Sequence, residues 1–356
     1  MARITLDHIR HAYGPKPSAE KDYALKEVHH QWEDGGAYAL LGPSGCGKTT
    51  LLNIISGLLT PSEGRILFDG RDVTHLPTES RNIAQVFQFP VIYDTMTVYD
   101  NLAFPLRNRK VPEAEVDRRV RETLAMIDLA DWADRRARGL TADQKQKISL
   151  GRGLVRSDVN AILFDEPLTV IDPHMKWLLR SQLKRLHQKF GHTMVYVTHD
   201  QTEALTFADK VVVMYEGEIV QIGTPVELFE KPRHTFVGYF IGSPGMNLLP
   251  AELAGASAIV GSRRIPLASG PAVSPGATVE LGIRPEFVRI GREGLPIRVT
   301  KVEDVGRQKI VRALFEGVPL AAIVAEDDEI PGEPHVVFEP HAISIYADSW
   351  RVETGG

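Results

Sequence analysis

The 356-residue sequence has a single cysteine, no long hydrophobic run and no excess of basic residues. The one cysteine, Cys46, excludes a disulfide framework and a zinc site built from several cysteines. No apolar stretch approaches the roughly 18 residues that a membrane-spanning helix needs, and the first residues lack the apolar core of a signal peptide. Because 41 basic and 46 acidic residues give a net charge of −5, a nucleic-acid partner is not expected. The sequence therefore predicts a soluble, cytoplasmic protein.

The length predicts two or three domains, because a domain has about 150 residues. Through about residue 235, short β-rich runs alternate with helical patterns, which is typical of a mostly parallel sheet covered by helices. The predicted strands are residues 38–41, 160–164, 194–197 and 210–215. The clearest helix is predicted to begin after Asp172, because Pro173 follows this capping residue, and to end at Gly191.

Two later regions have different patterns. Residues of about 100 to 158 combine charge clusters with an intermittent apolar face, which predicts a helical subdomain inserted between strands. The basic clusters there are expected to be solvated helix faces, since acidic residues are interspersed. From about residue 240, proline, glycine and short β-branched runs predict five or six strands in a small barrel, with the acidic run 326–329 in an exposed loop.

One segment matches the phosphate-binding loop (Walker A motif) in full: Gly42, Pro43, Ser44, Gly45, Cys46, Gly47, Lys48, Thr49 and Thr50. It follows a predicted strand and opens a helix, which is the context that the motif requires. Its glycines allow backbone N–H groups to turn toward phosphate oxygens, and the helix N-terminus favours anions. Lys48 would reach the β- and γ-phosphates, and the hydroxyl of Thr49 would bind Mg²⁺. The expected cofactors are ATP and Mg²⁺.

Polar side chains follow several of the predicted strands. Asp165 and Glu166 end an apolar strand, where Asp165 can hold Mg²⁺ (the Walker B role) and Glu166 can polarise the attacking water as a general base. His199 ends the next strand, beside the expected γ-phosphate position at the carboxyl edge of the sheet. The amide of Gln88 can contact Mg²⁺ or the attacking water. Tyr13 either stacks on adenine or is an ordinary strand aromatic.

With these residues in place, the sequence resembles the ATP-binding subunits of ABC transporters. The resemblance is to the importer branch typified by the maltose-importer ATPase and its relatives for sugars, glycerol and glycerol phosphate. It rests on residues 81–88 and 96–101, which are similar to the Q-loop region, on residues 236–247, similar to the junction into the C-terminal domain, and on residues 281–286, similar to that domain's own motif. It covers essentially the whole chain and is strongest to the glycerol-uptake ATPases.

The resemblance implies an α/β P-loop NTPase (ABC ATPase) domain over residues 1–238, with its helical subdomain at about 89–158. An all-β, OB-like regulatory barrel of the TOBE type would follow over residues 239–356. Asp172 would belong to the D-loop. The implied partners are two membrane-spanning permease subunits and, indirectly, an external solute-binding protein, so that the chain would lie on the inner face of the cell membrane. The implied activity is ATP hydrolysis that energises import of a carbohydrate or polyol, with glycerol as the first expectation.

The ABC signature, normally Leu-Ser-Gly-Gly-Gln, is altered in this chain. The residues in its place are Thr141, Ala142, Asp143 and Gln144. In the family this segment contacts the γ-phosphate held by the opposite subunit. Thr141 keeps a hydroxyl, but the Asp143 carboxylate would face phosphate charge, and two like charges about 4 Å apart cost roughly 4 kcal/mol at an effective dielectric constant of about 20. We therefore expect a heterodimer with a second ATPase that has a regular signature, the alternative being a homodimer in which Asp143 is harmless.

Other functions fit parts of the pattern. A homodimeric ATPase of a sugar or glycerol-phosphate importer is the alternative within the transport class. A soluble ABC ATPase of translation or DNA repair is disfavoured by the single nucleotide cassette and by the barrel domain. A nucleotide-binding regulator with little turnover is disfavoured by Glu166 and His199. A P-loop kinase lacks the combination of Gln88, the signature segment and His199.

Overall fold

The computed structural model describes residues 2–14, 17–270 and 273–353. The chain divides into two units, Met1–Pro225 and Val226–Gly356. The domain assignment from the sequence, 1–238 and 239–356, stays a prediction. Each unit has its own hydrophobic core.

The first unit contains a parallel and an antiparallel sheet. Its strands are β1 (Ile4–His11), β2 (Leu25–Trp32), β3 (Ala37–Leu41), β4 (Glu63–Phe68), β5 (Arg71–Asp72), β6 (Ala84–Val86), β7 (Ile162–Asp165), β8 (Met194–Thr198), β9 (Lys210–Tyr215) and β10 (Glu218–Gly223). The larger sheet has the order β10-β9-β3-β8-β7-β6, and its pairs are parallel except at the edge strand β10. The predicted parallel sheet is thus confirmed.

The second sheet, of order β2-β1-β4-β5, is antiparallel throughout, and it was not predicted from the sequence. Its strands have one buried face only: in β1, Ile4 and Leu6 are buried, whereas the intervening Thr5 is partly exposed. Such half-polar strands lack the continuous apolar run that identified β7, β8 and β9, whose sheet is covered on both faces.

Helices follow or connect the strands of the parallel sheet. They are α1 (Lys48–Ser56), α2 (Thr78–Arg81), α3 (Val98–Arg107), α4 (Glu113–Met126), α5 (Ala142–Leu154), α6 (Pro173–Phe190) and α7 (Gln201–Phe207). The predicted limits of α6 are confirmed, because the Asp172 side chain caps its first turn and Gly191 ends it at φ 61°. Among the helices of the described residues, none combines the length and the apolar character needed to cross a membrane.

The helices α3, α4 and α5 form the inserted helical subdomain. Their inward faces share a separate buried cluster that includes Leu102, Val120 and Ile148. The outward basic residues pair with acids, as in the exposed Arg118–Glu122 pair at 2.9 Å, which spans one helical turn. The expectation of an inserted subdomain with solvated charged faces is confirmed.

The second unit is built mainly of short antiparallel strands. Two helices, α8 (Pro225–Glu230) and α9 (Thr235–Phe240), come first. The strands are β11 (Asn247–Pro250), β12 (Glu252–Leu253), β13 (Ser257–Val260), β14 (Arg263–Pro266), β15 (Val279–Ile283), β16 (Val288–Gly291), β17 (Leu295–Pro296), β18 (Arg298–Asp304), β19 (Gln308–Phe315), β20 (Val318–Ala325), β21 (His335–Phe338), β22 (Ile343–Ala347) and β23 (Trp350–Arg351). The strands predicted at residues 278–283, 297–302, 309–315, 320–324, 336–339 and 343–346 are present as β15 and β18–β22, and the acidic run 326–329 is exposed. The expected number was too low, because the other strands have only two to four residues each, and most of them contain a proline or a charged residue.

Arg284 connects β15 to the two helices of this unit. Its guanidinium is buried (6% exposed) and donates hydrogen bonds to the backbone carbonyls of Phe229 at 2.8 Å, Gly238 at 2.8 Å and Ile241. Burial lowers the pKa of Arg284. We predict that Arg284→Met lowers the free energy of unfolding by about 3 kcal/mol, because three buried carbonyls lose a charged donor. Urea denaturation measures this, and Arg289→Met, at a 75% exposed side chain, should change stability by less than about 0.5 kcal/mol.

Candidate nucleotide site

The carboxyl ends of the parallel strands bring the predicted site residues to one edge of the sheet. The phosphate-binding loop follows β3, His199 follows β8 and Glu166 follows β7. These three strands are neighbours, and β6, which precedes Gln88 by two residues, lies beside β7. Ligands of open α/β sheets bind in the crevice outside these strand ends.

The loop between β3 and α1 has the backbone shape of an anion cradle. Gly45 and Gly47 have φ of 82° and 100°, in the left-handed region that favours glycine. A Cβ at Gly47 would lie 2.7 Å from the carbonyl oxygen of Ala24, so a larger residue does not fit there. Within the described part of the chain no side chain caps the N-terminus of α1, which leaves its first-turn N–H groups available to a phosphate.

Lys48 lies inside this loop. It is buried, and its Nζ donates to the carbonyls of Gly42 and Pro43 at 2.8 and 2.9 Å. Cys46 is also buried, and burial raises the pKa of its thiol, an effect that the nearby Lys48 opposes. A protonated, buried thiol is unreactive, so Cys46 behaves as a small packing residue. Ser44 is exposed at the tip of the loop.

Thr49 and Asp165 form a pair of oxygen donors across the site. The hydroxyl of Thr49 donates to Oδ1 of Asp165 at 3.1 Å. Burial raises the pKa of Asp165; the Thr49 hydrogen bond opposes this shift, and the charge of Glu166 adds to it. A hydroxyl and a carboxylate are the hard oxygen ligands that Mg²⁺ prefers, and a bound cation would compensate the buried carboxylate. The donor set therefore fits Mg²⁺.

Glu166 and His199 lie side by side at the ends of β7 and β8. Nδ1 of His199 is 3.2 Å from Oε2 of Glu166. The backbone of Glu166 has φ 45°, and its N–H donates to the carbonyl of Val197 at 3.0 Å. The Glu166 side chain is mostly buried and the His199 side chain is half exposed. The pair can orient one water molecule or phosphate oxygen between an acceptor and a donor.

A buried carboxylate behind His199 was missed in the sequence. Glu203, on α7, accepts hydrogen bonds from the hydroxyls of Tyr196 at 3.1 Å and Thr198 at 2.9 Å. Thr198 also accepts from the N–H of Asp200 at 3.0 Å, so the network fixes the turn that carries His199. Asp200 is the N-cap residue of α7, and Glu203 follows it three positions later. This spacing could have indicated the start of the helix.

Gln146 was also missed, and the sequence offers no feature that distinguishes it. Its buried Nε2 donates to the carbonyls of Phe87 at 3.0 Å and Pro167 at 2.8 Å. It therefore joins α5 to the residue before Gln88 and to the residue after Glu166. Gln88 itself is partly exposed.

Tyr13 lies two residues beyond the end of β1 rather than within a strand. Its ring is 68% exposed, and its hydroxyl is 3.0 Å from Oγ1 of Thr50 in the phosphate-binding loop. The rings of Tyr13 and His11 pack edge to face, with their centroids 4.8 Å apart. An exposed aromatic face fixed to this loop is available for stacking.

The altered signature segment starts α5. Thr141 caps the helix: its hydroxyl accepts from the N–H of Gln144 at 3.3 Å, and Oε1 of Gln144 accepts from the N–H of Thr141 at 3.1 Å. Oδ2 of Asp143 lies 3.9 Å from Nζ of Lys147, one turn later, whereas its Oδ1 is buried without a hydrogen-bond partner in the described structure. The signature helix thus carries its own carboxylate where an anion would bind.

In the described part of the chain, no hydrogen bond or ion pair joins the Asp172 side chain to the phosphate-binding loop. Its carboxylate accepts a hydrogen bond from the N–H of His174 at 2.9 Å and caps α6. The D-loop role implied by the resemblance stays a prediction.

The chain is similar to known proteins over most of its length. Residues 25–169 match the family model described as ABC transporter, and residues 242–288 match the one described as MalK OB fold domain. The sn-glycerol-3-phosphate import ATP-binding protein UgpC of Bordetella avium is 41% identical over 87% of this chain and 85% of its own length. The UgpC of Brucella abortus is 40% identical over 91% of each chain. An uncharacterized ABC transporter ATP-binding protein, y4oS of Sinorhizobium fredii, is 38% identical over 94% of this chain and 89% of its own.

The chain is also similar to a solved structure. The structure of cbiO1 from Clostridium perfringens, part of the ABC transporter complex cbiONQ, aligns with a TM-score of 0.57 and 28% identity, covering 64% of this chain and 90% of that one. The expected fold, an ABC ATPase with a helical subdomain and an OB-like C-terminal domain, is confirmed. The chain belongs to the ABC transporter ATP-binding proteins, which bind ATP and couple its hydrolysis to transport.

Proposed function

We propose that this chain is the ATPase of an importer for a small polyol or its phosphate, and that it hydrolyses ATP with Mg²⁺. The observation that carries the proposal is the pairing of Thr49 with Asp165 and of Glu166 with His199 beside the phosphate-binding loop. The names of the similar UgpC proteins supply the class of solute, sn-glycerol 3-phosphate. Glycerol, the solute expected from the sequence, belongs to the same class.

The site residues have separate roles in this proposal. The N–H groups from Gly45 to Thr50 and the ammonium of Lys48 bind the phosphates. Thr49 and Asp165 would hold Mg²⁺, with Gln88 as a further oxygen donor. The cation supplies charge compensation for the phosphates when it is bound.

Proton transfer involves Glu166 and His199, at the ends of β7 and β8. The carboxylate of Glu166 accepts a proton from the attacking water, and His199, whose Nδ1 lies 3.2 Å from Oε2 of Glu166, orients that carboxylate. Adenine stacks on the exposed face of Tyr13, whose hydroxyl contacts Thr50.

We further propose that the permease subunits dock at a groove of the first unit, which would place the chain on the inner face of the membrane. The groove has a volume of about 220 Å³ and lies between the region of Gln85 and α5. Both polar atoms of the Gln85 amide are buried without a partner in the described structure, and Phe89 and Val91 nearby are more than half exposed. An inserted helix of a permease would satisfy the amide and cover the apolar residues.

The transported solute can be determined with the assembled importer in lipid vesicles. Uptake of labelled glycerol 3-phosphate and of glycerol is compared with uptake of a labelled disaccharide, with ATP supplied on the side of this chain. We expect uptake of one or both three-carbon solutes and none of the disaccharide. Uptake of the disaccharide alone would contradict the proposed solute class, and the absence of this chain from membrane fractions of cells would favour a non-transport ATPase.

We propose that the chain works in a heterodimer with a second ATPase. Its own nucleotide loop would face the partner's regular signature, whereas Asp143 would weaken the other composite site. The ion pair of Asp143 with Lys147 offsets only part of this repulsion, because it is long, at 3.9 Å, and the other carboxylate oxygen has no hydrogen-bond partner among the described residues.

The substitution Asp143→Gly tests the heterodimer. We predict that it strengthens ATP-driven self-association of the isolated chain by at least about tenfold, equivalent to about 1.4 kcal/mol, because it removes the carboxylate from the phosphate position. Analytical ultracentrifugation with and without ATP measures the association, and Asp143→Asn, which removes only the charge, should give most of the gain. Full ATPase activity of the isolated wild-type chain would contradict the heterodimer and favour a homodimer.

A further inference from the structure

A β-bulge in β1 turns two consecutive polar side chains to the solvent. The pairing of β1 with β2 shifts between Leu6 and Ile9, and its pairing with β4 shifts between Asp7 and Arg10. His8 has φ 52°, outside the extended region of a strand. A bulge breaks the alternation of the strand, so Asp7 and His8 both lie on the outer face while Leu6 and Ile9 stay buried.

This bulge places Asp7 and His8 beside His29 of β2. Oδ1 of Asp7 lies 3.6 Å from Nδ1 of His29 and 3.9 Å from Nε2 of His8. One ligand atom from each of the three residues lies within 4.8 Å of the others. The two imidazole rings stack, with centroids 4.3 Å apart. Two histidines and one carboxylate therefore lie together on one face of the antiparallel sheet.

Two neighbouring side chains orient these three residues. Oε1 of Glu27 is 2.5 Å from Nδ1 of His8, which makes Nδ1 the protonated nitrogen and leaves the lone pair on Nε2, the atom that faces Asp7. Nη2 of Arg65 donates to Oδ2 of Asp7 at 2.8 Å and leaves Oδ1 toward the histidines. A carboxylate behind a ligating histidine is the usual outer contact of a protein metal site.

We propose that Asp7, His8 and His29 bind a divalent transition metal ion, Zn²⁺ in the first place, with water completing a tetrahedral set. Imidazole and carboxylate ligands suit Zn²⁺. Bond lengths of about 2.0–2.1 Å place tetrahedral ligand atoms about 3.3 Å apart. The three ligand atoms lie within 4.8 Å of one another, so rotations of the side chains, including the two stacked imidazoles, must bring them closer by up to about 1.5 Å. The positive charge of Arg65 opposes cation binding, so the expected dissociation constant is micromolar, on the order of 10 µM.

The site also joins two strands of the antiparallel sheet. Since Asp7 and His8 belong to β1 and His29 belongs to β2, a metal bound by all three cross-links the hairpin that leads to Tyr13. A ligand that binds only the folded chain raises its stability, so Zn²⁺ should raise the melting temperature of the full chain.

Titration calorimetry of the full chain with ZnCl₂, without nucleotide, tests the proposal. We expect one site that His29→Ala and Asp7→Asn weaken at least about tenfold, because each removes a ligand. Glu27→Gln, which removes only the orienting charge, should weaken binding by about 10-fold. The control His341→Ala, at an exposed imidazole beside Glu339, should leave the affinity unchanged. With Co²⁺ in place of Zn²⁺, the visible absorption should have the intensity of a tetrahedral complex and disappear in His29→Ala.

The nucleotide site offers a competing set of ligands in Glu166 and His199, which His199→Ala removes. Zinc binding that survives His29→Ala and disappears in His199→Ala would overturn the proposal. Equal affinities in wild type, His29→Ala and Asp7→Asn would overturn it as well, as would the absence of saturable binding up to about 1 mM, roughly a hundredfold above the expected constant. Circular dichroism of each variant verifies folding; because the His29 side chain is 57% exposed, the fold should be retained.

Discussion

The substitution Glu166→Gln should reduce ATP hydrolysis about 1000-fold while leaving ATP binding nearly unchanged. The glutamine keeps the size of the side chain and can still meet Nδ1 of His199, which lies 3.2 Å from the carboxylate in the wild type. It loses the capacity to accept a proton from the attacking water, and general base catalysis contributes about 10²–10⁴-fold to rates. Phosphate release measures the rate, and a fluorescent ATP analogue measures binding.

Two further variants serve as comparisons for Glu166→Gln. Glu326→Gln changes an equivalent side chain in an exposed loop of the second unit and should leave hydrolysis unchanged. His199→Ala should reduce the rate less than Glu166→Gln if the histidine acts by orienting the carboxylate. Hydrolysis at more than about one tenth of the wild-type rate in Glu166→Gln would exclude this residue as the base.

The second large effect is expected for Lys48→Ala, which should weaken ATP binding about 100-fold. The ammonium of Lys48 would bind two phosphate groups, and hydrogen bonds to charged groups contribute about 1.5–3 kcal/mol each. A loss of about 2.7 kcal/mol corresponds to a hundredfold change in the dissociation constant. Equilibrium binding of labelled ATP with Mg²⁺ measures the effect.

Lys48 also donates to two loop carbonyls, so a folding effect has to be separated from a binding effect. Lys48→Arg keeps the positive charge but not the compact ammonium and should retain part of the affinity. Lys189→Ala removes an exposed lysine at the end of α6 and should bind ATP normally. An unchanged affinity in Lys48→Ala, at a melting temperature close to that of the wild type, would contradict phosphate binding by this residue.

The parallel sheet and its covering helices could be predicted from the sequence because both leave strong local patterns. The strands β7, β8 and β9 are buried on both faces and therefore read as continuous apolar runs. The antiparallel sheet was not predictable in the same way, since the bulge at His8 breaks the alternation of β1. The two-residue strand β17 is fixed by its pairing with β21, which is about 40 residues later in the sequence.

The candidate site residues that belong to a sequence motif could be predicted. Those that act only through packing could not. The phosphate-binding loop, Asp165 and Glu166 are recognised from strand ends and glycine spacing. Glu203 and Gln146 act through buried hydrogen bonds to groups that only the fold brings near them. The position of the Asp143 carboxylate, 3.9 Å from Lys147, likewise required the helix, because the sequence leaves its direction open.

The most direct test of the proposed function is ATP-driven solute uptake by vesicles that contain the complete importer. With the wild-type chain, labelled glycerol 3-phosphate or glycerol should accumulate only when ATP and Mg²⁺ are present on the side of the nucleotide-binding subunits. With Glu166→Gln, accumulation should fall to the background of vesicles without ATP, although the subunits stay assembled. Uptake that proceeds at the wild-type rate with Glu166→Gln in place would contradict the account, because the solute would then move without hydrolysis at this site.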